Sequence, residues 1–202
     1  MSEKEIELSS VKLCLLGGKA TGKTSVCNVF QGLEFNEEPL LTVFFQKTNK
    51  IFKLENGKDI NVIIYDPSSK ERFQTITMQN LRHINGVIIV FDVTDRSSFD
   101  IVEGIIKDVE TNYAQPSMVL FGNKADKEKS EWKVTDEEVK NLTQKYNLIY
   151  FETSAKTNMN IKEGFDYIVT NSLDKIKERN IVNNLNNKNG NKQGCVGQKK
   201  KK

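Results

Sequence analysis

Four short segments of this chain carry residue types that do chemistry, and each follows an apolar run. "GGKATGKT", residues 17–24, fits G-x-x-x-x-G-K-[ST] between a predicted strand and a predicted helix. The glycines let the backbone curl so that successive N–H groups face phosphate oxygens, and the helix N-terminus adds a field that favours anions. Gly17, Lys19, Ala20, Thr21, Gly22, Lys23, Thr24 and Ser25 are therefore candidate phosphate-binding residues. Lys23 is placed to reach the β- and γ-phosphates of a nucleoside triphosphate, and the Thr24 hydroxyl to ligate Mg²⁺. "IIYDPSSKERF", residues 63–73, delivers one carboxylate, Asp66, from the end of an apolar run into a polar, proline-containing segment.

The other two segments bear on the base. In "GNKAD" (122–126) the Asp126 carboxylate can accept two hydrogen bonds, from N1–H and the exocyclic amine of guanine. Adenine offers neither in that arrangement, and a buried carboxylate left unpaired is costly. Lys124 can lay its aliphatic stem on the purine face, and in "ETSAK" (152–156) the Ala155 N–H can meet the guanine carbonyl oxygen. Asn123, Ser154 and Lys156 complete the set. Either segment alone also reads as a cap or a turn. Both, in this order after a phosphate loop, point to GTP or GDP with Mg²⁺.

The elements that must position these segments alternate. "VKLCLLGG" (11–18) predicts a buried strand, and "KTSVCNVFQG" a helix ending near Gly32. Residues 33–42, with Pro39, read as a loop. Residues 44–66 read as two strands joined at Asn56-Gly57, a strong hairpin signal. "NGVIIVFDV" (85–93) and "SMVLFGNKAD" (117–126) are continuous apolar runs of the kind buried on both faces of a parallel sheet. Helical patterns fall at 97–113, 135–146 and 160–177, and "NLIYFETSA" supplies one more strand. The expectation is an α/β doubly wound sheet of about six strands, with one antiparallel edge strand and flanking helices. In such folds ligands bind beyond the carboxyl ends of the strands, where Gly17, Asp66, Asn123 and Ser154 would all lie.

Bulk properties narrow the classes. The 202 residues suffice for one domain, and no apolar run approaches the ~20 residues of a membrane span. Three widely spaced cysteines and a single His83 argue against a disulfide framework, a zinc site or a Ser-His-Asp triad, and indicate a reducing cytosol. Residues 180–202 hold six Lys and no acid, so the net +3 less those six leaves −3 for the rest. A nucleic-acid-binding body is not indicated. Residues 1–9 read as an N-terminal extension, 10–177 as one domain, and 178–202, rich in Asn and Lys, as a disordered basic tail.

"GGKATGKT", "GNKAD" and "ETSAK", with "VIIVFDVTDRSSF", resemble the Ras-like small GTPases and, within them, the Rab branch. The resemblance covers residues 10 to about 177. It implies a GTP/GDP·Mg²⁺ site that converts GTP to GDP and phosphate, and two switch loops that respond to the γ-phosphate. It further implies exchange-factor and effector proteins as partners of a monomer, and a place in vesicle traffic on the cytosolic face of an endomembrane. Counting from the phosphate loop carries the switch-one threonine onto Thr42, which would join Thr24 in the Mg²⁺ shell while Asp66 holds the ion through water. The alternative for Thr42 is an ordinary loop residue, since Val43-Phe44 follow where the family has Ile-Gly. Phe35 falls where the family sets an aromatic ring edge against the guanine.

The chain departs from the family where hydrolysis is organised. The family pattern Asp-Thr-Ala-Gly-Gln-Glu-Arg-Phe reads Asp66-Pro67-Ser68-Ser69-Lys70-Glu71-Arg72-Phe73 here. Pro67 fixes φ and removes a donor, and Ser69 has less backbone freedom than glycine. Lys70 replaces the glutamine that orients the attacking water, and a lysine cannot accept a hydrogen bond from that water. Lys19 either crowds the space of the water and an arginine finger or points into solvent. Together these predict a chain that binds guanine nucleotide and hydrolyses GTP slowly. The alternative is a guanine-nucleotide-bound interaction module that does not cycle. A P-loop kinase acting on a small substrate is opposed by Asp126 and "ETSAK". Lys47, Tyr65 and Leu81 occupy the positions of the Rab aromatic cluster, so only one aromatic remains for effectors. In the tail, "CVGQ" from Cys195 is followed by four lysines. A prenylation box must be C-terminal, so the lysines disable it, are trimmed, or Cys195 is palmitoylated; an unmodified tail is the fourth reading. A basic patch gains roughly 1 kcal/mol per Lys at an anionic leaflet.

Overall fold

The computed structural model of the chain describes residues 10–37, 46–54, 57–67 and 83–190, with side chains as far as 182. Six strands form one sheet in the order β2-β3-β1-β4-β5-β6. They are β1 (Ser10–Gly17), β2 (Gln46–Lys53), β3 (Asp59–Asp66), β4 (Gly86–Asp92), β5 (Ser117–Asn123) and β6 (Ile149–Glu152). Only the β2–β3 pair is antiparallel, so β2 is the expected edge strand. Their hairpin closes where Gly57, at φ 81, donates its N–H to the Leu54 carbonyl at 2.9 Å. Its partner in the turn signal, Asn56, lies outside the described residues.

Period-2 alternation divides the core. Leu13, Leu15, Ile88, Val90, Val119 and Phe121 face one side of the sheet, beneath α1 (Lys23–Gln31) and α5 (Ile161–Gly190). Cys14, Leu16, Val87, Ile89, Phe91 and Leu120 face the other. That face is covered by α2 (Arg96–Asp100), α3 (Val102–Asn112) and α4 (Asp136–Tyr146). Every residue of β4 is buried, as a central parallel strand requires. The parallel pairing of β1, β3, β4, β5 and β6 turns their carboxyl ends toward one edge.

Two elements differ from their sequence patterns. The 97–113 pattern divides at Ile101 into α2 and α3. Ser98 explains the first piece: its hydroxyl donates to the Asp95 carbonyl at 2.7 Å and accepts the Asp92 N–H at 2.9 Å. That fastens the first turn to the end of β4, and α3 then carries Val102, Ile105, Ile106 and Val109 back along the sheet. The second difference is α5, which runs to Gly190 rather than stopping at 177, through residues read as disordered. A helix propagates on local backbone hydrogen bonds once nucleated, so it outlasts its packing. The expected loss of core contacts does occur, since Ile181 and Val182 are 59% and 54% exposed. Among the described residues no helix is long and apolar enough to cross a membrane.

Phe165 anchors α5. It is fully buried, stacks on Phe30 of α1 at 3.7 Å between ring centroids, and meets Phe121 edge-on at 6.2 Å. Phe165→Ala is expected to lower unfolding free energy by about 3–5 kcal/mol, read from the urea midpoint.

Candidate functional site

The loop between β1 and α1 folds back on itself at the sheet edge. Gly22 has φ 89, a conformation costly for other residues, and a Cβ there would collide with the Asn123 side-chain amide. Ala20 is also left-handed, at φ 59. Lys23 is buried, and its ammonium donates to the Gly18 carbonyl at 2.7 Å and the Gly17 carbonyl at 3.3 Å, spanning the loop from within. Lys19 is exposed on the outer side of the same loop.

Thr24, in the first turn of α1, donates its hydroxyl to Asp66 Oδ2 at 2.6 Å. Asp66 ends β3 and is 1% exposed, and its Oδ1 has no hydrogen-bond partner among the described residues. Burial pushes the carboxyl above the ordinary range, against the opposing pull of the Thr24 hydroxyl and the Lys23 charge. A buried carboxylate with one oxygen orphaned, beside a hydroxyl, fits a hard divalent cation held by oxygen ligands. Pro67, directly after it, is buried.

On the other side of the loop, Asn123 ends β5 and is 2% exposed. Its Nδ2 donates to the Thr21 carbonyl at 2.9 Å, and its Oδ1 accepts the Ala155 N–H at 3.2 Å. One side chain thus joins the phosphate-type loop to the segment after β6. Ser154 donates its hydroxyl to Asp126 Oδ1 at 2.6 Å and accepts the Thr157 N–H at 3.1 Å. Asp126 itself is exposed. Phe35 is half-buried against the α1/α5 core. Near it, Glu37 pairs with Lys156 at 2.7 Å, which holds the Glu37 carboxyl below its usual range and raises Lys156.

The structure therefore brings Gly17, Lys23, Thr24, Asp66, Asn123 and Ser154 to one edge, as their shared placement after strands implied. Thr42, Ser68, Ser69, Lys70, Leu81 and Cys195 lie outside the described residues. At the positions compared with the Rab aromatic cluster, Lys47 is exposed and paired across the hairpin with Tyr65, which is buried in the core. Sequence reasoning passed over Asp92. It ends β4 in register with Asn123 and forms an ion pair with Lys124 at 2.5 Å. The signal was available: "VFDVT" and "FGNKAD" both end apolar runs in a polar residue.

Comparison with known proteins bears on this arrangement. The profile of the Ras family matches residues 12–174. Ras-related protein Rab-13 of Bos taurus is 34% identical over 174 residues, covering 86% of this chain and 85% of its own. Ras-related protein RABE1e of Arabidopsis thaliana is 34% identical over 160 residues, covering 77% of this chain and 71% of its own. Ras-related protein RAB1BV of Beta vulgaris is 35% identical over 160 residues, with 77% and 72% covered.

Two outcomes are expected from the geometry. Asn123→Ala removes both buried bonds and should destabilise the fold by about 2 kcal/mol, measured by urea unfolding. Asp66 gives a pH signature when no nucleotide or divalent cation is bound. Its folded pKa lies above the unfolded 3.8, so its contribution to stability is full below 3.8 and is lost as pH rises through the folded value. Asp66→Asn should flatten that decline across a pH series of urea melts. A decline equally steep in the variant would remove Asp66 as its source.

Proposed function

The chain belongs to the Ras family as a Rab-like small GTPase, and from that premise we propose a GTP/GDP switch in intracellular vesicle traffic whose GTP hydrolysis is slow. The observation that carries the reading is the convergence of the strand-end segments on one edge, tied together by the two hydrogen bonds of Asn123. In this reading Gly17 to Ser25 cradle the phosphates, with Lys23 as the buried cation. Asn123, Lys124, Asp126, Ser154, Ala155 and Lys156 take the guanine, with Phe35 against its edge. Ser154 serves the base indirectly, by fixing one oxygen of Asp126. Thr24, Thr42 and Asp66 hold Mg²⁺; the orphaned Asp66 oxygen beside the Thr24 hydroxyl supports that role. Mg²⁺ held by these residues would supply positive charge against the charge that develops on the phosphates.

Slow hydrolysis is inferred from the residue types at the family's hydrolytic positions, Lys70 and Lys19. Phosphoryl transfer of this class depends on positioning and electrostatics, with little covalent work for the protein. Lys70 cannot accept a hydrogen bond from the attacking water, and the exposed Lys19 adds bulk and charge to the approach. Both cations favour the triphosphate over the diphosphate. A partner that supplies its own water-orienting and charge-stabilising groups would restore turnover. Residues 10–177 form the switch domain, and the basic segment beyond it, with Cys195, tethers the chain to the cytosolic face of an endomembrane.

Single-turnover hydrolysis of pre-bound GTP is the test. Wild type should lose γ-phosphate slowly, and Lys70→Gln should do so about tenfold faster or more. Wild type that already matches the variant would overturn the role given to Lys70. A chain that holds GTP through the whole assay, with the variant equally inert, would be the module that does not cycle. Preference for ATP over GTP would sink the guanine reading itself.

A further inference from the structure

We propose that Asp92 is a positioning residue for the base site, acting through Lys124. The inference rests on the guanine-nucleotide reading above and adds a residue to it. Asp92 is 5% exposed at the end of β4, where its Cα is the register partner of Asn123. The Val93 N–H donates to the Asn123 carbonyl at 3.1 Å, so the two strand ends are joined at this point. The carboxylate is itself fixed. Its Oδ1 accepts the Thr94 N–H at 2.8 Å and the Thr94 hydroxyl at 2.7 Å. Its Oδ2 is left for the Lys124 ammonium at 2.5 Å.

Lys124 needs such a partner. Its backbone is left-handed, at φ 64, which is uncommon outside glycine, and the next residue is tied down by Ala125 N–H to the Thr153 carbonyl at 3.0 Å. The backbone is therefore set, while a free lysine stem samples many rotamers. A charge-assisted bond to a buried, doubly anchored carboxylate selects one of them. The side chains are unequal in exposure, 8% for Asp92 and 38% for Lys124, so the acid is the fixed post and the lysine the arm. The arm lies beside the segment that holds Asp126, and its methylenes form the surface on which a purine would rest. Asp92 never touches the nucleotide; it holds in place the residue that does.

Dissociation of a fluorescent mant-GDP from the full chain tests this. Asp92→Asn keeps an oxygen for Thr94 and removes the charge facing Lys124. It should speed mant-GDP release about tenfold. Lys124→Met keeps a stem but cannot pair, and should speed release similarly. The double variant should be no faster than Lys124→Met alone, because both changes break one interaction. A merely structural Asp92 would instead give effects that multiply, and that outcome overturns the proposal, as does an unchanged rate in Asp92→Asn. Should Asp92→Asn not fold, Thr94→Val, which removes one anchor of the carboxylate, should raise the rate about twofold, and no change there would equally refute the role. Wild type that retains no mant-GDP would overturn the nucleotide reading, and this inference with it. Retention by wild type with no response to these variants would overturn the inference alone.

Discussion

The side-chain amide of Asn123 has one donor group and one acceptor, and each serves a different loop. Backbone amides and carbonyls at a sheet edge leave the ladder and need partners elsewhere. Here the Thr21 carbonyl and the Ala155 N–H find theirs in a single buried residue. The arrangement demands a close approach that only glycine at position 22 permits, since a Cβ there would occupy the space of the amide. Loop shape, strand register and glycine placement are thus one constraint seen from three sides. Had β5 slipped by one residue against β4, Asn123 would face the opposite side of the sheet and both loops would lose their tie.

Around that tie the edge is electrostatically unfinished. Lys23 lies buried on carbonyls of its own loop, and Asp66 is buried with one oxygen unmet among the described residues. Burying a carboxylate without full compensation is costly, and burial accordingly pushes the Asp66 carboxyl above its ordinary range.

The fold was largely legible because the continuous apolar runs in β4 and β5 fit central strands of a parallel sheet, and because Gly32 marks a helix end in plain sequence. The motifs at Gly17, Asn123 and Ser154 were legible for the same reason: their chemistry is local. Other features are products of register and packing. The pairing of Asp92 with Lys124 and of Glu37 with Lys156 joins residues far apart in the chain, and no spacing rule reports them. The break at Ile101 depends on one serine bonding across to a strand end. The continuation of α5 was missed because low hydropathy speaks to packing, whereas helix propagation is a matter of backbone bonds.

That continuation has a mechanical meaning. From Glu178 to Gly190 the helix rises about 18 Å at ~1.5 Å per residue. At its base Arg179 grips the Ala114 and Gln115 carbonyls and Lys175 the Pro116 carbonyl, so the rod is clamped to the loop before β5. A clamped rod transmits direction as well as distance. The far end of the helix, at Gly190, is therefore set in direction by the clamp at its base, on the side of the sheet away from the edge that carries the strand-end segments.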